Sequence, residues 1–329
     1  MTRQPPRNLA LGPGPEFDRI RQIARVLGTQ TPGLGDDCGL IREGEEFFAL
    51  STDVSVEGIH FRPEWIGPEE VGWRATASAL SDLAAEGAEA VGVLCAVTMP
   101  AQAPEKHLMQ VMSGAGAAAK FAGAMILGGD LSSGPVWSVA VTVVGRTRAP
   151  VTRGGAEPGD RLWVSGTLGG SRAALEAFRR GEAPLPGART RFARPEPRIA
   201  AGRWLARHGA HAMLDLSDGL GGDAWHLAAA SKVALEINLD SVPVAPEANG
   251  EAERLGVPPQ RFAAEGGEDF ELLVALPPRF NATEAFVHEC GIGLTQIGTV
   301  RHGSGVRFEL GGGSLDLHGF NHFPLTGSG

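Results

Sequence analysis

Apolar residues along the chain recur at two spacings. Short apolar runs of strand length, residues 47–53 (FFALSTD), 91–99, 124–127, 137–146, 161–165, 212–216, 234–240, 270–276 and 295–300, alternate with longer stretches in which small and apolar residues recur every three or four positions. Those longer stretches predict helices over 68–87, which starts on Pro and ends on Gly, and over 104–122, 171–180, 195–208, 220–231 and 282–290. The turn cluster RGGAEPGD (153–160) separates two such series, so two domains are expected, 1–149 and 150–329. Strands interleaved with helices make an α/β or α+β layer structure. No repeat of fixed period runs through the chain, which excludes solenoids and propellers.

Composition narrows the class. The 329 residues are 43% hydrophobic and 20% charged, as in an ordinary globular protein, and the 47 glycines follow no three-residue period. A net charge of −9 gives no basic field for a nucleic-acid backbone, so no nucleic-acid partner is expected. The three widely spaced cysteines form no C-x-x-C pair, which predicts reduced thiols and a cytoplasmic location. The N-terminal segment has no apolar core of a leader, and no apolar stretch approaches the ~18 residues of a membrane span.

Acidic residues stand where apolar runs end: Asp53, Asp130, Asp215 and Asp218, with Asp36 and Asp37 in a glycine-bounded turn. On one rim they would form a carboxylate cluster that needs cations as counter-charge, and oxygen-only ligands select hard ions such as Mg²⁺. Each Asp taken singly is as well explained as a turn former or helix cap. Asp82 differs, because it sits inside an alanine-rich helical stretch with almost no other charge, where a polar side chain is expected to face a site. Glycine clusters at 128–129, 166–170 and 266–267 are turn signals first; GTLGGS before a helix is the most phosphate-like of them. GAGAAAK (114–120) reads as close packing of small residues. The chain lacks a Walker A loop, protein-kinase motifs, G-x-S-x-G and H-E-x-x-H. His60 falls seven residues after Asp53, though a lone imidazole is more often a satisfied core or surface group. Arg153 is a candidate phosphate clamp, although most arginines are merely solvated.

Taken together in order, GDDCGLI (35–41), LSTDVSVEGIHF (50–61), ALSDLAAEGA (79–88), LGGD (127–130), TRGGAEPGDRLWVSGTLGGS (152–171), LDLSDGLGGD (214–223), GGEDFELL (266–273) and GFNHF (319–323) resemble the thiamine-monophosphate kinases, of the superfamily that includes aminoimidazole ribonucleotide synthetase. The resemblance implies ATP- and Mg²⁺-dependent phosphorylation of thiamine monophosphate to thiamine diphosphate. It implies an N-terminal mixed-sheet α/β domain that dimerises through its sheet, and a C-terminal α+β domain, with the active site in the cleft between them. Carried over by position, metal ligands fall on Asp37, Ser51, Thr52, Asp53, Asp82, Asp130, Asp215 and Asp218. Nucleotide contacts fall on Gly129, Asp130, Arg153 and Ser217, and substrate contacts on His60, Glu268 and Phe320. The implied catalytic set is Arg153, Asp53 and Asp130, with Arg153 the one protein cation at the transferring group. This chain has Ser51 where the family commonly has Thr and Phe320 where Trp is usual; the aromatic that touches nucleotide in some relatives falls near Met112. An acceptor phosphate is an oxyanion at neutral pH, its second pKa being about 6, so no general base is required. A homodimer is also expected from strands apolar on both faces, and Phe320 and Phe323 predict a docked tail. A nucleotide sensor and a metal-dependent phosphohydrolase are the readings from other classes.

Overall fold

The computed structural model of the chain describes residues 8–31 and 33–320. Its first half consists of α1 (Pro15–Leu27), β1 (Gly39–Glu43), β2 (Glu46–Val56), α2 (Pro68–Ala85), β3 (Glu89–Met99), α3 (Glu105–Phe121), β4 (Met125–Ser133) and β5 (Ser138–Thr147). The five strands form one mixed sheet in the order β1-β2-β5-β3-β4, with β3 and β4 parallel and the other neighbours antiparallel. Alternation decides its faces. Ala49, Val93, Cys95, Val97, Val139, Val141 and Val143 are buried on one side, beneath α2 and α3. On the other side Phe48, Val54 and Leu94 are exposed, as is every residue of β4.

Proline at its first turn and the Glu70 carboxylate on the Gly67 amide (2.9 Å) start α2. It crosses α3 at two glycines. A β-carbon on Gly72 would fall 1.8 Å from the Val111 carbonyl, and one on Gly114 would fall 1.8 Å from that of Glu69. The small residues of GAGAAAK therefore bring two backbones into contact.

The second half contains β6 (Arg161–Ser165), α4 (Gly170–Arg179), α5 (Pro186–Ala193), α6 (Ile199–Arg207), β7 (Ala212–Asp215), α7 (Leu220–Ser231), β8 (Ala234–Asn238), α8 (Pro246–Leu255), α9 (Pro259–Ala264), β9 (Leu272–Leu276), α10 (Thr283–Cys290), β10 (Leu294–Arg301), β11 (Gly305–Leu310) and β12 (Gly313–Leu315). A seven-stranded sheet runs β12-β11-β8-β10-β6-β9-β7, with β9 buried along its whole length. The two halves are not separate globules. A single cluster of buried residues extends from Val93 and Val141 through Leu80 and Leu83 of α2 to Phe192, Trp204 and Met213. At that seam a β-carbon on Gly202 would sit 1.9 Å from the Ala84 carbonyl. Polar pins flank it: the Trp73 indole donates to the Pro195 carbonyl (2.8 Å), Arg189 pairs with Glu70 (2.6 Å) and Arg194 with Glu69 (2.8 Å). No helix among the described residues is long and apolar enough to cross a membrane.

Two strands differ from their sequence reading in a way that matters for chemistry. β2 continues to Val56 and β4 to Ser133, because β-branched or small alternating residues follow each aspartate. Asp53 and Asp130 are therefore mid-strand residues, whereas Asp215 does end β7. β1, α5, α8, α9, β11 and β12 are short and carry few contrasting positions; α1, with Phe17, Ile20, Ala24 and Leu27 at helical spacing, is readable by periodicity and is an omission of the sequence reading.

The seam predicts a contrast between two glycines. Gly202→Ala forces its methyl into a carbonyl and should destabilise the protein by ~1–3 kcal/mol, a fall of several degrees in Tm. Gly250→Ala in α8, where nothing lies within 4 Å, should be neutral or stabilising. Equal melting temperatures in the two variants would contradict a tight crossing.

Candidate active site

A cavity of about 900 Å³ opens where β2, α2, β7, the 34–37 turn and the 266–270 loop meet. The geometry starts from strand alternation. Ser51 and Asp53 lie on the helix-covered face of β2, and Ser78 and Asp82, one turn apart on α2, come opposite them. Ser51 Oγ donates to Asp82 Oδ2 (2.5 Å) and Ser78 Oγ to Asp53 Oδ2 (2.6 Å). Thr52 also borders the cavity, but its hydroxyl sits 2.9 Å from that of Thr142 on the opposite face of the sheet. Asp215 enters from the end of β7. Asp37, Asp82 and Asp215 each bring a carboxylate oxygen within 4.8 Å of the others, the one such group of three among the described residues. An all-oxygen set of this kind fits a hard divalent cation.

Burial and mutual repulsion leave these groups reluctant to ionise without a cation. Burial, then the charge of Asp37, pushes Asp215 up to about 8, and the same two causes push Asp36 up to about 7. Asp82 is raised well above the usual carboxylate range by burial and by Asp53, Asp215 and Asp37. Arg153 partly compensates. Its Nε and Nη2 donate to the two oxygens of Asp37 (3.0 and 2.7 Å), and its amide donates to Asp36 (2.9 Å). Burial opposes the guanidinium charge, but Asp37, Asp36 and Asp215 outweigh it and hold it above its ordinary range. Ser231 at the end of α7 anchors the Arg153 carbonyl (2.9 Å).

The remaining walls come from the second half. Ser217 and Asp218 line the cavity in the turn before α7, where Asp223 accepts from the amides of Asp218 (3.1 Å) and Gly219 (2.9 Å). Glu268 and Phe270 take left-handed backbone conformations (φ 63° and 51°), uncommon for residues with a side chain. Their amides bond the Ser217 (2.8 Å) and Leu216 (3.0 Å) carbonyls, which fixes the loop. His60 lines the same space, its Nδ1 accepting from the Val56 amide (3.1 Å). So does Phe320, whose amide bonds the Asp218 carbonyl (2.9 Å). Phe323 lies outside the described residues.

The cavity thus gathers Asp37, Ser51, Thr52, Asp53, His60, Asp82, Arg153, Ser217, Asp218, Asp215, Glu268 and Phe320. Four expectations are not met within the cavity of one chain. Gly129 and Asp130 do not border it: Asp130 is exposed on the edge strand β4, and the register Asp130–Ala96–Ala140–Val54 puts three strand spacings between it and β2. Met112 packs against the core beneath α3 and does not reach the cavity. GTLGGS has no vacant anion site, because the Asp269 carboxylate accepts from the amides of Gly169 (2.6 Å) and Ser171 (3.3 Å) at the start of α4. Nor is Arg153 the one cation nearby. Arg62, Arg74, Arg172 and Arg179 also line the cavity, with Trp65 and Phe192, at residues that no motif singled out.

Residues 35–147 match the AIR synthase related protein, N-terminal domain, and residues 157–311 the AIR synthase related protein, C-terminal domain. Thiamine-monophosphate kinase of Aquifex aeolicus is 34% identical over 313 residues, 94% of this chain and 98% of that protein. That of Mycobacterium tuberculosis H37Rv is 36% identical over 266 residues, 80% of each chain. The solved structure of AaThiL complexed with AMPPCP and TMP superposes with a TM-score of 0.85 at 34% identity, over 94% of this chain and 97% of that one. The hydrogenase maturation protein HypE of Escherichia coli, at 23% identity and a TM-score of 0.67, is similar in fold alone.

The raised carboxyl groups predict how pH acts on the metal-free protein. Their folded pKa values lie above the ordinary ~3.9 of an unfolded Asp, so between about pH 4 and 8 the folded chain binds more protons than the unfolded one. Stability is then full below pH 4 in this respect and is lost as pH rises through 7 and 8. Thermal melts in a chelator should show Tm falling across that window, with millimolar Mg²⁺ restoring it most at pH 8. Asp82→Asn should flatten both dependences; an unchanged pH and Mg²⁺ response in that variant would refute the cluster.

Proposed function

The chain belongs to the AIR synthase related family and, within it, to the thiamine-monophosphate kinases, and from that we propose that it transfers the γ-phosphoryl group of ATP directly, in line, to thiamine monophosphate. The observation that carries this reading is the triad Asp37, Asp82 and Asp215 in one cavity with His60, Glu268 and Phe320. Bound Mg²⁺ ions, more than one in this reading, would neutralise charge on the transferring phosphoryl. Asp37, Asp82 and Asp215 would hold them, with Asp53 and Asp218 lining the same cavity, and Ser51 and Ser78 fix the orientation of two of these carboxylates. Arg153 is poised between Asp37 and the open cavity as the electrostatic stabiliser. Ser217 joins the nucleotide side. His60, Glu268 and the Phe320 ring recognise the acceptor, whose phosphate needs no base.

We further read the protein as a cytoplasmic homodimer with the boundary between its domains at 149/150. The apolar open face of the first sheet, with Phe48, Val54 and Leu94 exposed beside the uncovered edge strand β4, supports two-fold association. Because Gly129 and Asp130 are remote from the cavity of their own chain, they would meet nucleotide in the partner's site. Three free thiols fit a reducing compartment.

Product analysis tests the activity: ATP and thiamine monophosphate together should give thiamine diphosphate and ADP. Phosphate release without the acceptor would favour a hydrolase, and nucleotide binding without turnover a sensor. Arg153→Ala should lower kcat ~10²-fold or more, whereas a rise in KM alone would make it a uniform binder. Phe320→Ala should raise KM for thiamine monophosphate several-fold, consistent with ~0.5–2 kcal/mol for a ring against a cation, and leave that for ATP unchanged. Mixing inactive Asp53→Asn and Asp130→Asn proteins should restore activity through mixed dimers if sites are shared; no recovery would return Asp130 to its own chain.

A further inference from the structure

Arg74 carries an arrangement that the proposed chemistry does not yet use. It lies mid-way along α2, only 3% exposed, yet it borders the cavity. Its guanidinium makes three engagements with the opposite half of the protein. Nη1 donates to the main-chain carbonyl of Phe192, the Cζ stands 4.1 Å from the centroid of the Phe192 ring, and Nη2 meets Glu268 Oε2 at 2.5 Å as an ion pair without hydrogen-bond alignment. A planar fork buried in this way has one orientation, set by the carbonyl and the ring rather than by Glu268. Glu268 is equally constrained at its backbone, held left-handed with its amide on Ser217. With the main chain fixed at one end and Oε2 drawn to the buried guanidinium at the other, the reach of the carboxylate is restricted. Its Oε1 makes no hydrogen bond or ion pair to another described residue, and the side chain is 32% exposed toward the cavity.

We propose that Arg74 is a positioning residue for the acceptor: it clamps Glu268 so that the second carboxylate oxygen is presented, preoriented, to a hydrogen-bond donor of the substrate. In thiamine monophosphate the exocyclic amine of the aminopyrimidine is such a donor. The inference rests on the thiamine-phosphate reading for the identity of the ligand, and on the Arg74–Glu268–Phe192 geometry for the role. Binding energy gained this way depends on prepaid ordering of the carboxylate, so its loss appears in acceptor recognition and not in handling of the nucleotide.

The test is a double-mutant cycle on the full-length protein. R74Q should raise KM for thiamine monophosphate about tenfold or more, as for loss of a charge-assisted hydrogen bond, with KM for ATP unchanged. E268Q should do the same, and R74Q/E268Q should be no worse than E268Q alone. R74K keeps the charge without the fork, so it should recover stability and only part of the KM defect; it serves as the test if R74Q does not fold. Additive effects of the two substitutions, or equal changes in both KM values, would show that Arg74 is only a pin between the halves and would overturn the proposal. Wild-type turnover that depends on thiamine monophosphate is the control: its absence defeats the functional reading, whereas its presence with a normal R74Q defeats this one.

Discussion

Repulsion among buried carboxylates is the constraint on which this protein is built. Asp37, Asp82 and Asp215 come from a turn, a helix and a strand end, and their oxygens lie within 4.8 Å of one another. Nothing in the folding of an apolar core favours that, and the raised proton affinities of Asp82, Asp215 and Asp36 express the cost. The surrounding structure supplies the opposing restraint. Ser51 sets the direction of Asp82 and Arg153 that of Asp37, while Asp215 is carried by the end of β7.

Rigidity in turn depends on α2. This helix covers the first sheet, crosses α3 with backbones touching at Gly72 and Gly114, and meets α6 of the second half at Gly202. It also delivers Arg74, Ser78 and Asp82 to the cavity from one face. Alanine and glycine are poor sources of apolar area, so the helix contributes closeness more than burial. That trade puts Arg74, Ser78 and Asp82 on an element held by the buried cluster that the two halves share.

What could be read in the sequence follows from this division. Asp82 was legible because a lone charge in an alanine-rich helix has no polar face to occupy. The cluster of Asp37, Asp53, Asp215 and Asp218 was legible as a set of acidic punctuation marks after apolar runs, though Asp53 is in the middle of its strand. Arg74 was not legible, since one arginine among many carries no mark of the carbonyl and ring that will bury it. Asp269 was not legible either, for a similar reason. Its partners, the amides of Gly169 and Ser171, are a hundred residues away, so the glycine loop looked open to phosphate. Local pattern reports which face a residue takes; it does not report which distant group will already be there.

Asp269 and the aspartate triad illustrate opposite uses of the same side chain. Where a carboxylate meets the start of a helix, the fold itself supplies the counter-charge, and the site is closed to outside anions. Where carboxylates meet one another, the fold supplies Arg153, and the remaining charge is met by bound protons or by cations from solution. A net charge of −9 deepens that deficit for phosphate esters approaching the cavity. The other arginines that line it, Arg62, Arg74, Arg172 and Arg179, are each paired with a glutamate, Glu64, Glu268, Glu265 and Glu176, so they add little net positive charge. In the proposed reaction, cations bound at the triad would neutralise its carboxylates, and two anionic phosphates could then share one space.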